Sequence, residues 1–202
     1  YGAAVYRAKV EPQSSVAVWG VGCVGLAVIY GAKERGAKRI IAIDTNPGKA
    51  SWAKKFGATE FVNPKDVPPV EGGGDALVQH LVNITDGGLD YTFDCTGNVH
   101  VMRTALEACH KGWGISTVIG VAKAGEEIST RPFQLVTGRK WQGSAFGGVK
   151  GRTQLPGLVD RYMHGDFMVD EYVTHRETLS NINEGLNHMH EGGCIRCVVD
   201  LA

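Results

Sequence analysis

The sequence predicts an α/β protein built on a doubly wound, six-stranded parallel sheet, and three features of the chain support this fold. Short runs rich in β-branched residues alternate with longer stretches of helical periodicity from Ser15 onward. Hydrophobic residues make up 43% of the 202 residues, which is enough to bury a sheet between two layers of helices. A glycine-rich turn follows the first β-branched run. Because right-handed crossovers place each helix on the sheet, the alternation predicts the strand order 3-2-1-4-5-6.

The alternation predicts six strands and four connecting helices in chain order. The predicted strands are Val16–Trp19, Arg39–Ile43, Glu60–Val62, Tyr91–Asp94, Ile115–Ile119 and Lys140–Ala145. The predicted helices are Val24–Arg35, Pro47–Phe56, Ala76–Ile84 and Val99–His110. A loop at residues 67–74, rich in proline and glycine, precedes the third helix.

The two ends of the chain depart from this alternation. Tyr1–Lys9 is predicted to be helical, and after Phe146 a pair of glycines marks a change of pattern. The elements predicted there are helices at Gln154–His164 and Asn181–Glu191 and a strand at Ile195–Leu201. We therefore expect a domain at residues 1–146, with a linker helix at 1–12, and a C-terminal α/β tail at 147–202.

Charge and hydropathy exclude several classes of partner. Lys plus Arg and Asp plus Glu number 21 each, so no net charge would draw the chain to nucleic acid or to a membrane surface. No apolar run approaches the roughly 18 residues that a membrane span needs. The first residues do not resemble a signal peptide, and we expect a cytoplasmic protein.

The five cysteines are expected to be reduced, because an odd number argues against a complete disulfide framework. Cys194 and Cys197 form a C-x-x-C, which is compatible with a redox or metal-binding pair. The favoured interpretation is structural, because the two residues fall in a predicted strand, where positions three apart face opposite sides. His188 and His190 are predicted to be surface residues of a helix.

The turn at residues 20–25 matches G-x-G-x-x-G between a predicted strand and a predicted helix. Gly20 permits a tight turn, Gly22 allows the backbone to approach a pyrophosphate, and Gly25 allows the helix to pack closely on the strand. Val24 lies at the start of that helix, whose amino end favours phosphate. The setting is that of a Rossmann domain that binds a dinucleotide, which a lone glycine motif would not establish.

An acidic residue at the end of the second strand supports this interpretation. Asp44 lies 19 positions after Gly25, where its carboxylate can accept hydrogen bonds from both hydroxyls of an adenosine ribose. The same charge would repel a 2′-phosphate, so NAD is favoured over NADP. A solvated aspartate at a strand end is the alternative. Lys49 either reaches the ribose or is a solvated helix residue.

Two further strand ends are expected to border the ligand, because ligands of such sheets lie at the carboxyl ends of the strands. Thr96 and Gly97 follow the fourth strand and are expected on the adenosine side, while Val121 follows the fifth and is expected beside the nicotinamide. The alternative is that these residues form ordinary tight turns.

Longer segments carry a resemblance to a known family. They are Tyr1–Val5, Val16–Gly20, Asp86–Tyr91, Ala105–Gly114, Gly125–Ile128, Arg131–Arg139, Ala145–Gly148 and Ile195–Val199. On these segments and the glycine turn the chain resembles the zinc-dependent medium-chain alcohol dehydrogenases, and within them the class III form, the S-(hydroxymethyl)glutathione dehydrogenases.

The resemblance implies an NAD-dependent oxidation of the adduct of formaldehyde and glutathione, with primary alcohols as further substrates. It implies that Thr96, Val121, Ser144 and Phe146 lie near the nicotinamide end and that Arg196 pairs with the pyrophosphate. It also implies a homodimer formed through the sixth strand. The family's zinc ligands lie in a region that precedes the segment matching Tyr1, so no metal site and no catalytic residue are expected here. We expect a fragment that binds NAD and does not turn over alcohol, with the tail at 147–202 belonging to the catalytic domain.

Three alternatives stay open. A methyltransferase also combines a glycine-rich turn with an acid after the second strand. A non-catalytic module for dinucleotide binding or dimerisation fits the isolated chain. The third alternative is another class of alcohol dehydrogenase, because the choice of substrate is set largely by the part of the family's proteins that precedes the segment matching Tyr1.

Overall fold

A computed structural model describes residues 1–70 and 73–201 of the chain. Two residues of the predicted loop at 67–74, Glu71 and Gly72, and the last residue lie outside the described part. The chain forms two compact units, Tyr1–Gly148 and Val149–Ala202. Within the described ranges, no helix has the length and apolar character needed to cross a membrane.

The first unit contains a six-stranded sheet whose paired strands are all parallel. Its strands are β1 (Ser15–Trp19), β2 (Arg39–Ile43), β3 (Glu60–Val62), β4 (Tyr91–Asp94), β5 (Ile115–Val118) and β6 (Lys140–Gly143). The order β3-β2-β1-β4-β5-β6 confirms the prediction. Val16 is opposite Ile40 on one side and Tyr91 on the other, which fixes the register at the centre of the sheet.

Five α-helices of this unit are described. They are α1 (Cys23–Glu34), α2 (Ala50–Phe56), α3 (Ala76–Ile84), α4 (Val99–Glu107) and α5 (Pro132–Val136). The predicted helix at Pro47–Phe56 begins as a 3₁₀ turn, because the Asn46 side chain accepts the Gly48 amide at 2.9 Å and caps it. The predicted helix at the start of the chain is a π-helix over Ala3–Arg7, and α5 was not predicted.

The core lies on the central strands. β1, β2 and β4 are buried almost throughout, as expected for parallel strands covered on both faces. One cluster joins these strands to the helices; its buried members are Ala17, Trp19, Ile41, Ile43, Leu77, Leu81, Leu89, Ala105 and Ala108. This packing holds the carboxyl ends of the strands in fixed positions.

Polar side chains contact one another at the amino edge of the sheet, which is the side on which its strands begin, as the carboxyl edge is the side on which they end. Asp90 accepts hydrogen bonds from the Ser15 amide at 2.8 Å, the Ser15 hydroxyl at 2.9 Å and the Trp113 indole at 2.7 Å. Arg39 forms a two-pronged ion pair with Glu60, at 2.5 and 2.7 Å. Burial alone would raise the pKa of Asp90, but its hydrogen bonds and the nearby His110 outweigh burial and lower it.

The second unit holds two helices and two strands: α6 (Gly151–Met163), β7 (His175–Thr178), α7 (Ile182–His190) and β8 (Cys197–Asp200). β7 pairs in parallel with β8 and was not predicted, since its His-Arg-Glu-Thr sequence lacks the apolar alternation of a half-buried strand.

Two expectations for this unit were wrong in detail. The last strand begins at Cys197, so Cys194 precedes it and the argument from opposite strand faces does not apply to that residue. His188 is half-buried rather than a surface residue, because its ring stacks on His175 with centroids 4.4 Å apart and its Nε2 lies 3.3 Å from Glu177 Oε1.

Candidate functional site

The glycine turn between β1 and α1 depends on the absence of side chains at two positions. Gly20 has φ of +86°, in the region that favours glycine. A Cβ on Gly25 would lie 1.8 Å from the Gly20 carbonyl oxygen, so only glycine allows α1 to pack this closely on the turn. These contacts match the roles predicted for both residues.

Gly22 differs from its neighbours because a Cβ there would meet nothing within 4 Å. Gly22 is also the N-cap of α1, and no side chain among the described residues caps the first amides of that helix. Uncapped amides at a helix start are donors suited to an anion. Val24, in the first turn of the helix, is 49% exposed. The turn therefore presents an open notch lined by backbone N–H groups.

The Asp44 carboxylate lies against this notch. Its Oδ2 accepts the Val21 amide at 2.8 Å, and its Oδ1 accepts the Asn46 amide at 2.9 Å. These two bonds tie the end of β2 to the glycine turn and hold both carboxylate oxygens in place. Asp44 is therefore anchored at the turn rather than freely solvated.

Lys49 ends the 3₁₀ turn that precedes α2, and the residue is only 7% exposed. The alternative of a solvated helix residue is therefore wrong. Contact with a ribose remains a prediction.

The turn after β4 is organised by a residue that the sequence interpretation missed. The buried Asp94 carboxylate accepts the Thr96 amide at 3.0 Å, the Thr96 hydroxyl at 2.6 Å and the Gly97 amide at 3.3 Å. Asp94 is an acidic residue at the end of a fully buried strand and is followed by Cys-Thr-Gly, and this pattern was the available signal. Asp94 is a positioning residue that shapes the loop bearing Thr96 and Gly97.

The turns after β4 and β5 touch through their backbones. A Cβ on Gly97 would lie 2.3 Å from the Val121 carbonyl oxygen, and one on Gly120 would lie 2.0 Å from the Gly97 nitrogen. The structure therefore brings the turns that bear Gly97 and Val121 together, and contact of Thr96, Gly97 and Val121 with a coenzyme stays a prediction.

A cavity of about 690 Å³ opens above the carboxyl ends of β5 and β6. Its lining residues are Arg7, Val118, Ile119, Gly120, Val121, Gly143, Ser144, Ala145 and Gly148. Val121 is 92% exposed, and the buried Ser144 Oγ has no hydrogen-bond partner in the part of the chain that the structure describes. Phe146 lies close by in the chain and is 72% exposed with φ of +49°.

Arg7 is the second residue of this region that the sequence interpretation missed. Its Nε donates to the Gly143 carbonyl oxygen at 2.8 Å, which places the guanidinium beside Ser144. The two residues are 136 positions apart in sequence, and no local sequence pattern around Arg7 predicts this contact.

Burial affects the thiols of Cys95, which follows β4, and of Cys109, which precedes β5. Burial raises the pKa of Cys95, with the charge of Asp94 adding to the effect. Burial likewise raises the pKa of Cys109 to about 12. A raised pKa disfavours the thiolate, which is the form of cysteine that acts as a nucleophile or a metal ligand.

The described residues fit a dinucleotide but do not fit a zinc ion. Across residues 1–70 and 73–201, no three His, Cys, Asp or Glu side chains are grouped so as to hold a metal ion, so zinc does not fit this part of the chain. A dinucleotide does fit, because the notch at Gly22 has uncapped amides and Ser144 leaves an unpaired hydroxyl at the other end. Arg196 lies in the second unit, exposed, just before β8, and its role remains a prediction.

Comparisons with known proteins show what this chain is similar to. The family described as zinc-binding dehydrogenase matches residues 23–163. S-(hydroxymethyl)glutathione dehydrogenase of Aspergillus oryzae is 60% identical over 201 residues, and the match covers 100% of this chain and 51% of that protein. Alcohol dehydrogenase class-3 of Dictyostelium discoideum is 60% identical over 202 residues, covering 100% of this chain and 52% of that protein.

Solved structures agree with the sequence relatives. The crystal structure of benzyl alcohol dehydrogenase from Acinetobacter calcoaceticus superposes with a TM-score of 0.88 at 28% identity, over 100% of this chain and 53% of that one. The chain thus spans about half the length of the curated relatives that it matches.

Proposed function

Because the chain belongs to the zinc-binding dehydrogenase family, we propose that it is the NAD-binding part of an S-(hydroxymethyl)glutathione dehydrogenase. The close relatives bear that name or the name alcohol dehydrogenase class-3, and they extend well beyond the region matched here. The oxidation of S-(hydroxymethyl)glutathione and of primary alcohols, in the cytoplasm and with zinc, is a proposal for the longer protein.

One observation carries the proposal that this chain binds NAD. The Asp44 carboxylate is held 2.8 Å from the Val21 amide, inside the glycine turn, while the space at Gly22 stays open. Backbone amides that suit a pyrophosphate and a carboxylate that suits a ribose diol therefore lie next to each other. A methyltransferase has no use for a close phosphate approach, so the open notch favours a dinucleotide.

The residues of this chain bind and orient the coenzyme, which accepts the hydride when the alcohol is oxidised. We propose that the turn at Gly20, Gly22 and Gly25 holds the pyrophosphate, that Asp44 and Lys49 hold the adenosine ribose, and that Thr96 and Gly97 border the adenosine side. Val121, Ser144 and Phe146 would then form the nicotinamide end. Val121 gives the ring an apolar wall that excludes water from one face.

The charge of Asp44 is the feature that selects NAD over NADP. The isosteric variant Asp44→Asn keeps an acceptor for the Val21 amide, loses the acceptor for the Asn46 amide, and removes the charge that repels a 2′-phosphate. We expect wild-type chain to bind NADH at least tenfold more tightly than NADPH, and the variant to lose about tenfold of that preference. Fluorescence titration with both coenzymes measures it, and tighter binding of NADPH by wild type would contradict the assignment of Asp44.

We further propose a homodimer formed through the sixth strand. β6 lies at one edge of the sheet, where its backbone is able to pair with another strand. The neighbouring helix α5 exposes large apolar side chains, with Phe133 at 68% and Val136 at 79%. A sheet continued across a two-fold axis would cover both features.

Charges introduced at the exposed apolar side chains of α5, Phe133 and Val136, test the proposed dimer. The double variant Phe133→Lys, Val136→Lys should be monomeric at concentrations at which wild type sediments as a dimer, because each lysine places a charge in a buried interface. Sedimentation velocity over a hundredfold concentration range reports the result. A wild-type chain that stays monomeric throughout would refute the proposal, and NADH titration of the double variant checks that its fold is intact.

A non-catalytic dinucleotide-binding module remains the second candidate, favoured by the lack of a metal-binding group in the described residues. It predicts the same coenzyme binding by this chain. Alcohol-dependent reduction of NAD by the longer protein separates the two functions.

A further inference from the structure

We propose that Arg7 makes the nicotinamide end of the site bind the neutral, reduced coenzyme in preference to the cationic, oxidised one. The inference rests on the proposed function, since it assumes that the nicotinamide enters the cavity above β5 and β6. It adds a residue that controls which oxidation state of the coenzyme is held.

The position of the Arg7 guanidinium is fixed by a contact of its own. Nε donates to the Gly143 carbonyl oxygen at 2.8 Å, and the backbone of Gly148 lies beside Arg7, where a Cβ on Gly148 would be 3.3 Å from the Arg7 Cβ. The two terminal nitrogens have no hydrogen-bond partner within residues 1–70 and 73–201. The charge is therefore held at the cavity but is not neutralised there.

Among the described residues of the cavity wall, no acidic side chain balances this charge. The described lining consists of Arg7, aliphatic residues, glycines and Ser144, so Arg7 is its one charged member. Val121, which is expected to touch the nicotinamide, belongs to the same wall. A ring placed against Val121 would lie beside an uncompensated positive charge.

The two states of the coenzyme differ in charge at this ring. The oxidised nicotinamide is a pyridinium cation, and the reduced ring is neutral, while the rest of the dinucleotide is the same. The Arg7 charge repels the first and leaves the second nearly unaffected. A unit charge roughly 6 Å from the ring, at an effective dielectric constant of about 40 for this exposed group, changes the ratio of the two affinities about tenfold.

The test compares the dissociation constants of NAD⁺, NADH and ADP-ribose, which lacks the nicotinamide. Arg7→Met keeps the apolar stem and removes the charge, and Arg7→Lys keeps the charge. Calorimetric titration should show that the Met variant lowers the Kd ratio of NAD⁺ to NADH about tenfold, leaves ADP-ribose binding unchanged, and that the Lys variant retains most of the wild-type ratio. Arg103→Met, on α4, is the matched control and should leave the ratio unchanged.

The salt dependence of the wild-type ratio gives a second measurement that needs no variant. Raising the ionic strength from about 0.02 to 0.5 M should reduce the preference for NADH several-fold, because the Arg7 charge is exposed and screened. This readout stands even where Arg7→Met fails to fold.

Three outcomes would overturn the inference. Equal ratios of the Kd for NAD⁺ to the Kd for NADH in wild type and in Arg7→Met would show that the Arg7 charge does not affect the preference between the two coenzymes. A loss of affinity shared by ADP-ribose would make Arg7 a phosphate ligand instead. If ADP-ribose does not bind wild type at all, the dinucleotide site itself is wrong, and this result is distinct from the first two.

Discussion

The two edges of the parallel sheet differ in the polar groups that they leave without a hydrogen-bond partner in the described part of the chain. At the amino edge, Asp90, Ser15 and Trp113 satisfy one another, and Arg39 pairs with Glu60. At the carboxyl edge, the amides at the start of α1 have no side-chain cap and Ser144 Oγ has no partner among the described residues. A side chain whose hydrogen bonds are complete stabilises the fold, and one whose bonds are incomplete is available to a ligand.

The largest expected effect is the loss of packing at the carboxyl edge in Gly25→Ala. The new methyl group would lie 1.8 Å from the Gly20 carbonyl oxygen, so the turn and the helix must separate. Alanine is about 1 kcal/mol better than glycine inside a helix, but the clash should cost about 4 kcal/mol or more. Urea denaturation measures the loss.

Gly157→Ala in α6 is the matched control, because a Cβ there meets nothing within 4 Å. It should be neutral or stabilising by up to about 1 kcal/mol. Equal stabilities of the two variants would show that the close approach at Gly25 is not a real constraint.

A smaller effect, confined to stability, is expected at the amino edge. Asp90→Ala leaves the Ser15 amide, the Ser15 hydroxyl and the Trp113 indole without their acceptor. We expect a loss of about 2 kcal/mol in the free energy of unfolding and a Kd for NADH within twofold of wild type. A large change in that Kd would mean that the two edges are coupled rather than separate in function.

The amino edge also predicts how stability depends on pH. The pKa values of Asp90 and Glu60 are lowered in the folded chain, the first by hydrogen bonds that outweigh burial and the second chiefly by its hydrogen bond to Arg39. The unfolded chain therefore binds more protons in acid, so this contribution is complete above pH about 5 and is lost as pH falls through the folded pKa values. Urea midpoints between pH about 3 and 7 should show it.

Asp90→Asn should reduce that pH dependence by the part that Asp90 contributes, since the amide does not titrate, and should leave the part that Glu60 contributes. An unchanged slope in the variant would assign the acid sensitivity to other carboxyl groups.

The sequence predicted the sheet order and most element boundaries because each βαβ unit is specified locally by its periodicity and its turns. It missed β7, whose polar residues give no strand pattern, and α5, which is five residues long. In the site, the glycine turn and Asp44 were predicted from the spacing of the glycines and from the distance in sequence between Gly25 and Asp44. Arg7 and Ser144 are far apart in sequence, and both line the cavity because of how the chain folds. No local sequence pattern therefore predicts that the Arg7 charge lies at the cavity.

The smallest effect is expected outside both edges, at the ion pair between Arg103 and Glu107 on α4. The two side chains are 2.8 Å apart but remain 39% and 20% exposed. Arg103→Met should change the free energy of unfolding by about 0.5 kcal/mol or less. A loss comparable to that of Asp90→Ala would show that surface pairs matter as much as the amino edge.

Gly22→Ala tests the claim that the open notch at the carboxyl edge receives the coenzyme's pyrophosphate. A Cβ on Gly22 meets no protein atom within 4 Å, and its backbone is extended with φ of −86°, so the fold should tolerate alanine. We expect an unchanged Tm together with at least a tenfold weaker Kd for NADH, because the methyl group occupies the space of the phosphate. A variant that folds and binds NADH as tightly as wild type would contradict the account.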